Sequence, residues 1–182
     1  MEAMSKIPKK LKREQLNRLF VDGLGPAVKK VDDINGKPLL VDLKEPFPLK
    51  LRVYLYNCTN PPGGRALDEY KIQVIVPGQK RGTRGRFDYS GGRLAILAAF
   101  VGLSEDTDDG VFVLWDADKH PEFSYSANFQ VKAETIIEAL CIPVAASTRA
   151  NNEVILAVRP RHLLSAVRMR VDIMNRNIRG DT

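Results

Sequence analysis

Histidine and cysteine are almost missing from this sequence. Only His120 and His162 occur, and Cys58 and Cys141 stand far apart with no Cys-x-x-Cys spacing. A zinc site, a nuclease of the histidine-rich metal-finger kind and a disulfide framework are therefore not expected. No run of eighteen apolar residues exists, and the N-terminal MEAMSKIPKKLKREQ has basic residues with no apolar stretch behind them. Neither a membrane span nor a secretory leader is expected, so the reading is of a soluble, cytoplasmic protein with no membrane partner. The Gly-x-Ser-x-Gly elbow, the Walker loop and the Gly-x-Gly-x-x-Gly turn are also lacking, which removes three common catalytic and nucleotide-binding frameworks. The one tryptophan, Trp115, is expected in the core.

What is present suits one domain with its own interior: 182 residues, 44% of them apolar. The net charge of +6 at pH 7 suits a polyanionic partner. Residues 5–13, SKIPKKLKR, read as a basic arm, and Leu16, Leu19 and Phe20 recur at helical spacing over Arg13–Leu24 with Gly23 near the end. Strand signals dominate after that. Short apolar runs bounded by Gly, Pro, Asn or Asp fall at Pro38–Leu43, Lys50–Asn57, Tyr70–Val76, Leu94–Val101, Val111–Asp116, Ala127–Lys132 and Glu153–Val158. Seven strands without alternating helices point to a mainly β sandwich or barrel. Helices are expected over Ala133–Leu140 and from Pro160, where Leu163, Leu164, Val167 and Val171 share a face. The expected divisions are a basic arm and helix over 1–37, a β domain over 38–158, and a basic helix and tail over 159–182. That last part carries Arg161, Arg168, Arg170, Arg176 and Arg179.

The chemistry concentrates between residues 56 and 86. In a strand over Tyr70–Val76, Tyr70, Ile72, Val74 and Val76 point to one face, and Glu69, Lys71, Gln73 and Ile75 to the other. Lys, Gln and Glu are side chains that distinguish guanine, adenine and cytosine edges in the major groove. An ordinary half-buried strand with a solvent-facing Glu–Lys pair produces the same row. Before the strand lies NCTNPPGGR, with Asn57, Asn60 and Arg65. After it comes GQKRGTRGR, where Lys80, Arg81, Arg84 and Arg86 sit among glycines. Such cations attract backbone phosphates, or serve as a solubilising charge on a loop.

The order Tyr-Asn, a glycine-containing polar loop, Arg-x-x-(Asp/Asn)-Glu-x-(Lys/Arg)-Ile is carried here by Tyr56, Asn57, Arg65, Asp68, Glu69, Lys71 and Ile72. It resembles the DNA-recognition arm of the B3-like effector-binding domains in EcoRII-type restriction endonucleases. The later WDADKH, SANFQVK and NEVILAVRP are similar to recognition domains of other restriction enzymes of that fold. The resemblance implies a seven-stranded open pseudobarrel, B3-like, that grips the major groove of double-stranded DNA between two arms. It would read a short sequence or a modification of it, in a phage-defence restriction system. Such a module binds DNA and leaves cutting to a catalytic nuclease domain or subunit, with the polar ending NRNIRGDT as a domain boundary. Arg65, Glu69 and Lys71 carry over as recognition positions. Residues 1–37 do not align with the family's first strand and arm, and the second arm falls at 43–50 (LKEPFPLK) or at 146–152 (ASTRANN), where Arg149, Asn151 and Asn152 supply donors.

A rival reading takes Glu69-Tyr70-Lys71 as the Glu-x-Lys of a PD-(D/E)-x-K nuclease. The carboxylate would then hold Mg²⁺ while the lysine serves the attacking water, and Asp42 is the upstream candidate for the second acid. No cofactor is expected otherwise. Asp116, Asp118 and His120 resemble an acid–base cluster but are expected to cap a strand end and open a turn.

Overall fold

The computed structural model describes residues 10–60, 66 and 68–180. Among the described residues, nine strands and three α-helices follow one another: α1 Arg13–Leu24, β1 Val28–Val31, β2 Leu39–Leu43, β3 Lys50–Asn57, β4 Glu69–Val74, β5 Leu94–Val101, β6 Val111–Trp115, β7 Ala127–Lys132, α2 Ala133–Glu138, β8 Ala145–Thr148, β9 Val154–Val158 and α3 Leu163–Arg179. Seven strands form one mixed sheet in the order β1-β2-β3-β5-β6-β9-β8, and β4 and β7 form a separate two-stranded ribbon. All neighbours in the large sheet are antiparallel except β3 and β5. The parallel pair follows from the excursion through β4, which carries the chain away after β3 and returns it at the same end.

The sheet ends in β1 on one side and β8 on the other, so among the described residues it stays open and no closed barrel forms. The count of seven agrees with the sequence, but the membership differs. Five expected strands lie in the sheet, β1 and β8 are added, and the expected strands at 70–76 and 127–132 leave it to form the ribbon.

Side-chain alternation explains the layers. One face of the sheet takes Leu51, Val53, Leu55, Ile96, Ala98, Phe100, Phe112 and Leu114 under the helices. There Leu16, Phe20 and Leu24 of α1 meet Leu163, Ala166, Val167 and Val171 of α3. The two helices come close at Gly23, where a Cβ would lie 2.9 Å from Leu163 Cδ2 and 2.9 Å from the Pro160 carbonyl oxygen. The opposite face takes Ala95, Leu97, Ala99, Val101, Val113 and Trp115, and receives Ile72, Val74, Phe129 and Val131 from the ribbon and Ile136 from α2. LAILAAFV is thus covered on both sides, which is why it shows no polar alternation. Each large ribbon side chain buried in this way stabilises by about 1.5–3 kcal/mol.

The basic C-terminal helix does not present all its cations outward. Arg170 is fully buried, its Nη2 3.0 Å from Asp116 Oδ2, so it belongs to the interior rather than to a polyanion-binding surface. Arg168 stacks 4.1 Å over the Phe47 ring. Among the described residues no helix is long and apolar enough to cross a membrane.

Candidate nucleic-acid interface

The ribbon is amphipathic across its thickness. β4 and β7 pair antiparallel with Glu69 opposite Lys132, Lys71 opposite Gln130 and Gln73 opposite Asn128, while Tyr70, Ile72 and Val74 face Val131, Phe129 and Ala127. Directly opposed residues share a face. Ile72, Val74, Phe129 and Val131 are buried, so the six polar residues form a grid of three rows on the outer face. Successive rows stand about 6.5–7 Å apart, and the strands about 4.8 Å. A grid of that size fits within a major groove about 12 Å wide, which admits a two-stranded ribbon.

The first row of the grid differs from the other two. Lys132 Nζ lies 3.3 Å from Asp68 Oδ2 and 3.5 Å from Glu69 Oε1, so the first row is an ion-paired group. The side chains of Lys71, Gln73, Gln130 and Asn128 make no hydrogen bond or ion pair among the described residues. Gln73 and Asn128 are exposed, Lys71 and Gln130 half-buried. Four donor-bearing side chains, three amides and one primary amine, none with a partner among the described residues, thus stand in two adjacent rows.

Backbone contacts fix the ribbon in place. On the free edge of β7, the Gln130 carbonyl accepts from Trp115 Nε1 at 2.9 Å and from Arg149 Nη2 at 2.6 Å. On the free edge of β4, Lys71 exchanges backbone hydrogen bonds with Thr59 at 2.9 and 3.2 Å. The His120 ring packs edge-on against Phe129, with centroids 4.7 Å apart, and its Nε2 lies 2.8 Å from Glu153 Oε1. Glu153 is fully buried. Burial by itself pushes its carboxyl up, but the hydrogen bond and charge of His120 and the charge of Arg149 outweigh burial and hold it below the ordinary value.

The remaining sequence candidates divide by what they already touch. Asn57 spends its amide on the Leu11 backbone, accepting from its nitrogen and donating to its oxygen at 3.0 Å each, so it tethers the segment before α1. Arg149 acts on the ribbon from below, as described, and also lies 3.7 Å from Glu153 Oε2. Residues 146–148 lie in β8, and Asn152 has a left-handed φ of 62° in the turn to β9, so much of 146–152 is hairpin. Asn60 is exposed beside β4. Arg65 and the loop residues 61–64 lie outside the described residues, as does most of the basic arm at 5–13. Lys80, Arg81, Arg84 and Arg86 are on the loop between β4 and β5. Arg84 Nε is 3.8 Å from Glu122 and Arg86 is ion-paired with the same carboxylate. Among the described residues no acid pairs with Lys80 or Arg81, and both are exposed.

Asp42 and Glu69 are not brought together. Asp42 pairs with Lys50 at the start of β3 and its Oδ1 accepts from Arg93 Nη1 at 2.9 Å. Glu69 lies near the far end of β3, beyond Thr59, in the other sheet. At the rise of a strand the length of β3 alone separates them by roughly 25 Å. No group of three His, Cys, Asp or Glu side chains that could hold a metal ion occurs among the described residues.

Asp116, Asp118 and Arg170 form a buried network that does more than open a turn. Asn177 Nδ2 donates to Asp116 Oδ2 at 3.2 Å and to Asp118 Oδ2 at 3.0 Å, tying the end of α3 to the end of β6. Burial, and then the hydrogen bond with Asp118, push the Asp116 carboxyl up to about 7 against the pull of Arg170. On Asp118 burial also pushes up, but the hydrogen bonds from Asp116 and Asn177 prevail and hold it low.

Sequence reasoning missed Asn128, Gln130 and Lys132. Their alternation with Phe129 and Val131 is visible in ANFQVK, but the strand that faces them is not. No curated protein and no solved structure matches the chain. A family described as methylase-associated X1 matches residues 49–167, from the start of β3 into α3 and including the whole ribbon. That description links the chain to restriction–modification systems. By this match, which spans well over half of its length, the chain belongs to the methylase-associated X1 family.

Proposed function

We propose that this protein is a double-stranded DNA-binding module of a restriction–modification system, which reads a short sequence or a base modification through the outer face of the β4–β7 ribbon. The B3-like resemblance of residues 56–72 belongs to this proposal. Lys71, Gln73, Gln130 and Asn128 contact base edges; Glu69, held by Lys132, accepts from a base amino group or orients the first row; Lys80 and Arg81, with Arg84 and Arg86, bind phosphates. The observation that carries the reading is the pair of adjacent rows of unpartnered amine and amide groups on a ribbon whose reverse side is locked into the core. Preformed positions suit direct readout, because little side-chain and backbone freedom remains to be lost on binding.

Selection of bound duplexes from a random pool, with and without modified bases, tests it directly. A consensus should emerge, and Lys71→Ala or Gln130→Ala should relax it at one position. A pool that returns no consensus and no preference for modified DNA overturns readout. Incubation of the protein with plasmid and Mg²⁺, beside Glu69→Gln, separates this from a nuclease: cleavage that the variant loses would favour cutting by Glu69 and Lys71.

A further inference from the structure

The ribbon does not cover the whole sheet face on its side. Over β2 and β3 the residues that alternate with the helix-facing Leu39, Val41, Leu51 and Val53 are Leu40, Arg52 and Tyr54. The segment from Val76 to Asp88 arches beside them. Between the two lies a cavity of about 280 Å³, lined by Pro38, Leu40, Tyr54, Val76 and Pro77 as apolar walls and by Arg52, Arg86 and Asp88 as polar edges.

Its walls are held rigidly. Tyr54 Oη accepts from the Asp88 backbone nitrogen at 3.0 Å, and Arg52 Nη1 donates to the Asp88 and Ser90 carbonyls at 2.6 and 3.2 Å. The Tyr54 and Phe87 rings pack with centroids 5.0 Å apart. Arg52 is nearly buried, its side chain 12% exposed, while the Asp88 carboxylate is 55% exposed and the Arg86 guanidinium 73%. Arg52 is committed to this rim, with Nη1 also 3.2 Å from Asp88 Oδ1, so what the rim offers is Asp88 Oδ2 as an acceptor and the remaining N–H groups of Arg86 as donors. Ligand pockets commonly run from about 300 to 1,000 Å³, so this one takes a single ring system and not a whole nucleotide.

We propose that this cavity receives one nucleobase extruded from the bound duplex. The inference rests on the DNA-binding reading above. Three features of the cavity favour that occupant. The walls at Pro38, Leu40, Tyr54, Val76 and Pro77 are apolar, which suits the face of an aromatic ring. Its rim pairs a carboxylate with guanidinium groups, which matches the mixed donor and acceptor edge of a base. Its mouth opens where Arg86 leads from the cationic loop, so a phosphate bound there would leave its base beside the slot. The site is thus a second point of discrimination, suited to a base whose modification alters its edge.

Extrusion costs a few kcal/mol and least at a mismatch, so binding to duplexes that differ only by one central mismatch reports it. A 2-aminopurine placed at that position reports unstacking independently. The wild-type protein should bind the mismatched duplex roughly ten-fold more tightly, with a fluorescence change only when the reporter is at the mismatch. Leu40→Trp fills the slot from a half-buried strand position. It should abolish both effects and leave binding of the matched duplex within about two-fold. Asp88→Asn alters only the rim, and should reduce the mismatch advantage by at least half even if Leu40→Trp fails to fold. Equal binding of both duplexes with no fluorescence change overturns the slot and leaves ribbon readout standing. A mismatch advantage that survives both variants overturns it as well. Failure to bind either duplex overturns both readings.

Discussion

Two polar regions of this molecule differ in what their side chains are already bonded to. At the end of β6, Asp116, Arg170 and Asn177 close on one another in the interior, and Asp118 and the His120–Glu153 pair extend the network. On the outer face of the ribbon, Lys71, Gln73, Gln130 and Asn128 point away from the core with no partner of their own among the described residues. A buried polar group without a partner costs stability, so a network like the first bonds internally as far as it can, although Arg170 Nε and Glu153 Oε2 make no hydrogen bond among the described residues. Exposed groups carry no such requirement, because water satisfies them until a ligand displaces it. Polarity alone therefore does not mark a recognition site. Position relative to the core separates the two: the acidic cluster belongs to the architecture, and the ribbon grid is left open for the contact proposed above.

Mutations that break one region should leave the other untouched. The largest effect is expected at Arg170: Arg170→Met strands the Asp116 and Asp118 carboxyls, and urea unfolding should show a loss of about 3–5 kcal/mol. Arg149→Ala comes next, since it removes a donor to the Gln130 carbonyl and a charge beside buried Glu153; about 1–3 kcal/mol should be lost. If the ribbon carries specificity, that variant should also broaden the selected consensus, and an unchanged consensus would show that the clamp is not needed for readout.

On the ribbon itself the order reverses. Lys71→Ala should leave the melting temperature unchanged and cost about 1–3 kcal/mol of discrimination at one base pair. Replacing both Lys80 and Arg81 with alanine should weaken all duplexes alike and lower the salt slope by about 2. A pH dependence is confined to the buried network. The folded Asp116 pKa of about 7 lies above its unfolded value. The folded state therefore keeps a proton that the unfolded chain has released, and this contribution to stability is lost as pH rises through 7. Denaturation midpoints should fall from about pH 4 to about pH 7 in the wild type, level off above that and lose this component in Asp116→Asn, while DNA discrimination at fixed pH does not follow Asp116.

Much of the fold was legible because its signals are local. The bounds of α1, β3, β5 and β7 coincide with the expected ones residue for residue, since each has a strong apolar period or run with a clear change of pattern at its end. β1 and β8 were not expected. They are four residues each, VKKV and AAST, and both are edge strands whose pairing is supplied by one neighbour, β2 or β9. A segment with so little burial has little pattern of its own. For the same reason 146–152 reads as a polar loop, although its first residues continue the sheet.

Period-two alternation is a property of any extended chain, so the sequence by itself determined that Glu69, Lys71 and Gln73 share a face and that Ile72 and Val74 oppose it. It determined equally that Asn128, Gln130 and Lys132 share one. Only the tertiary structure decided that these two rows face the same way on paired strands, and that Arg170, apparently one more cation on a basic helix, is buried against Asp116. Both outcomes depend on contacts between residues more than fifty positions apart. Such contacts are selected by the packing of whole layers, and no local window of residues carries their energy.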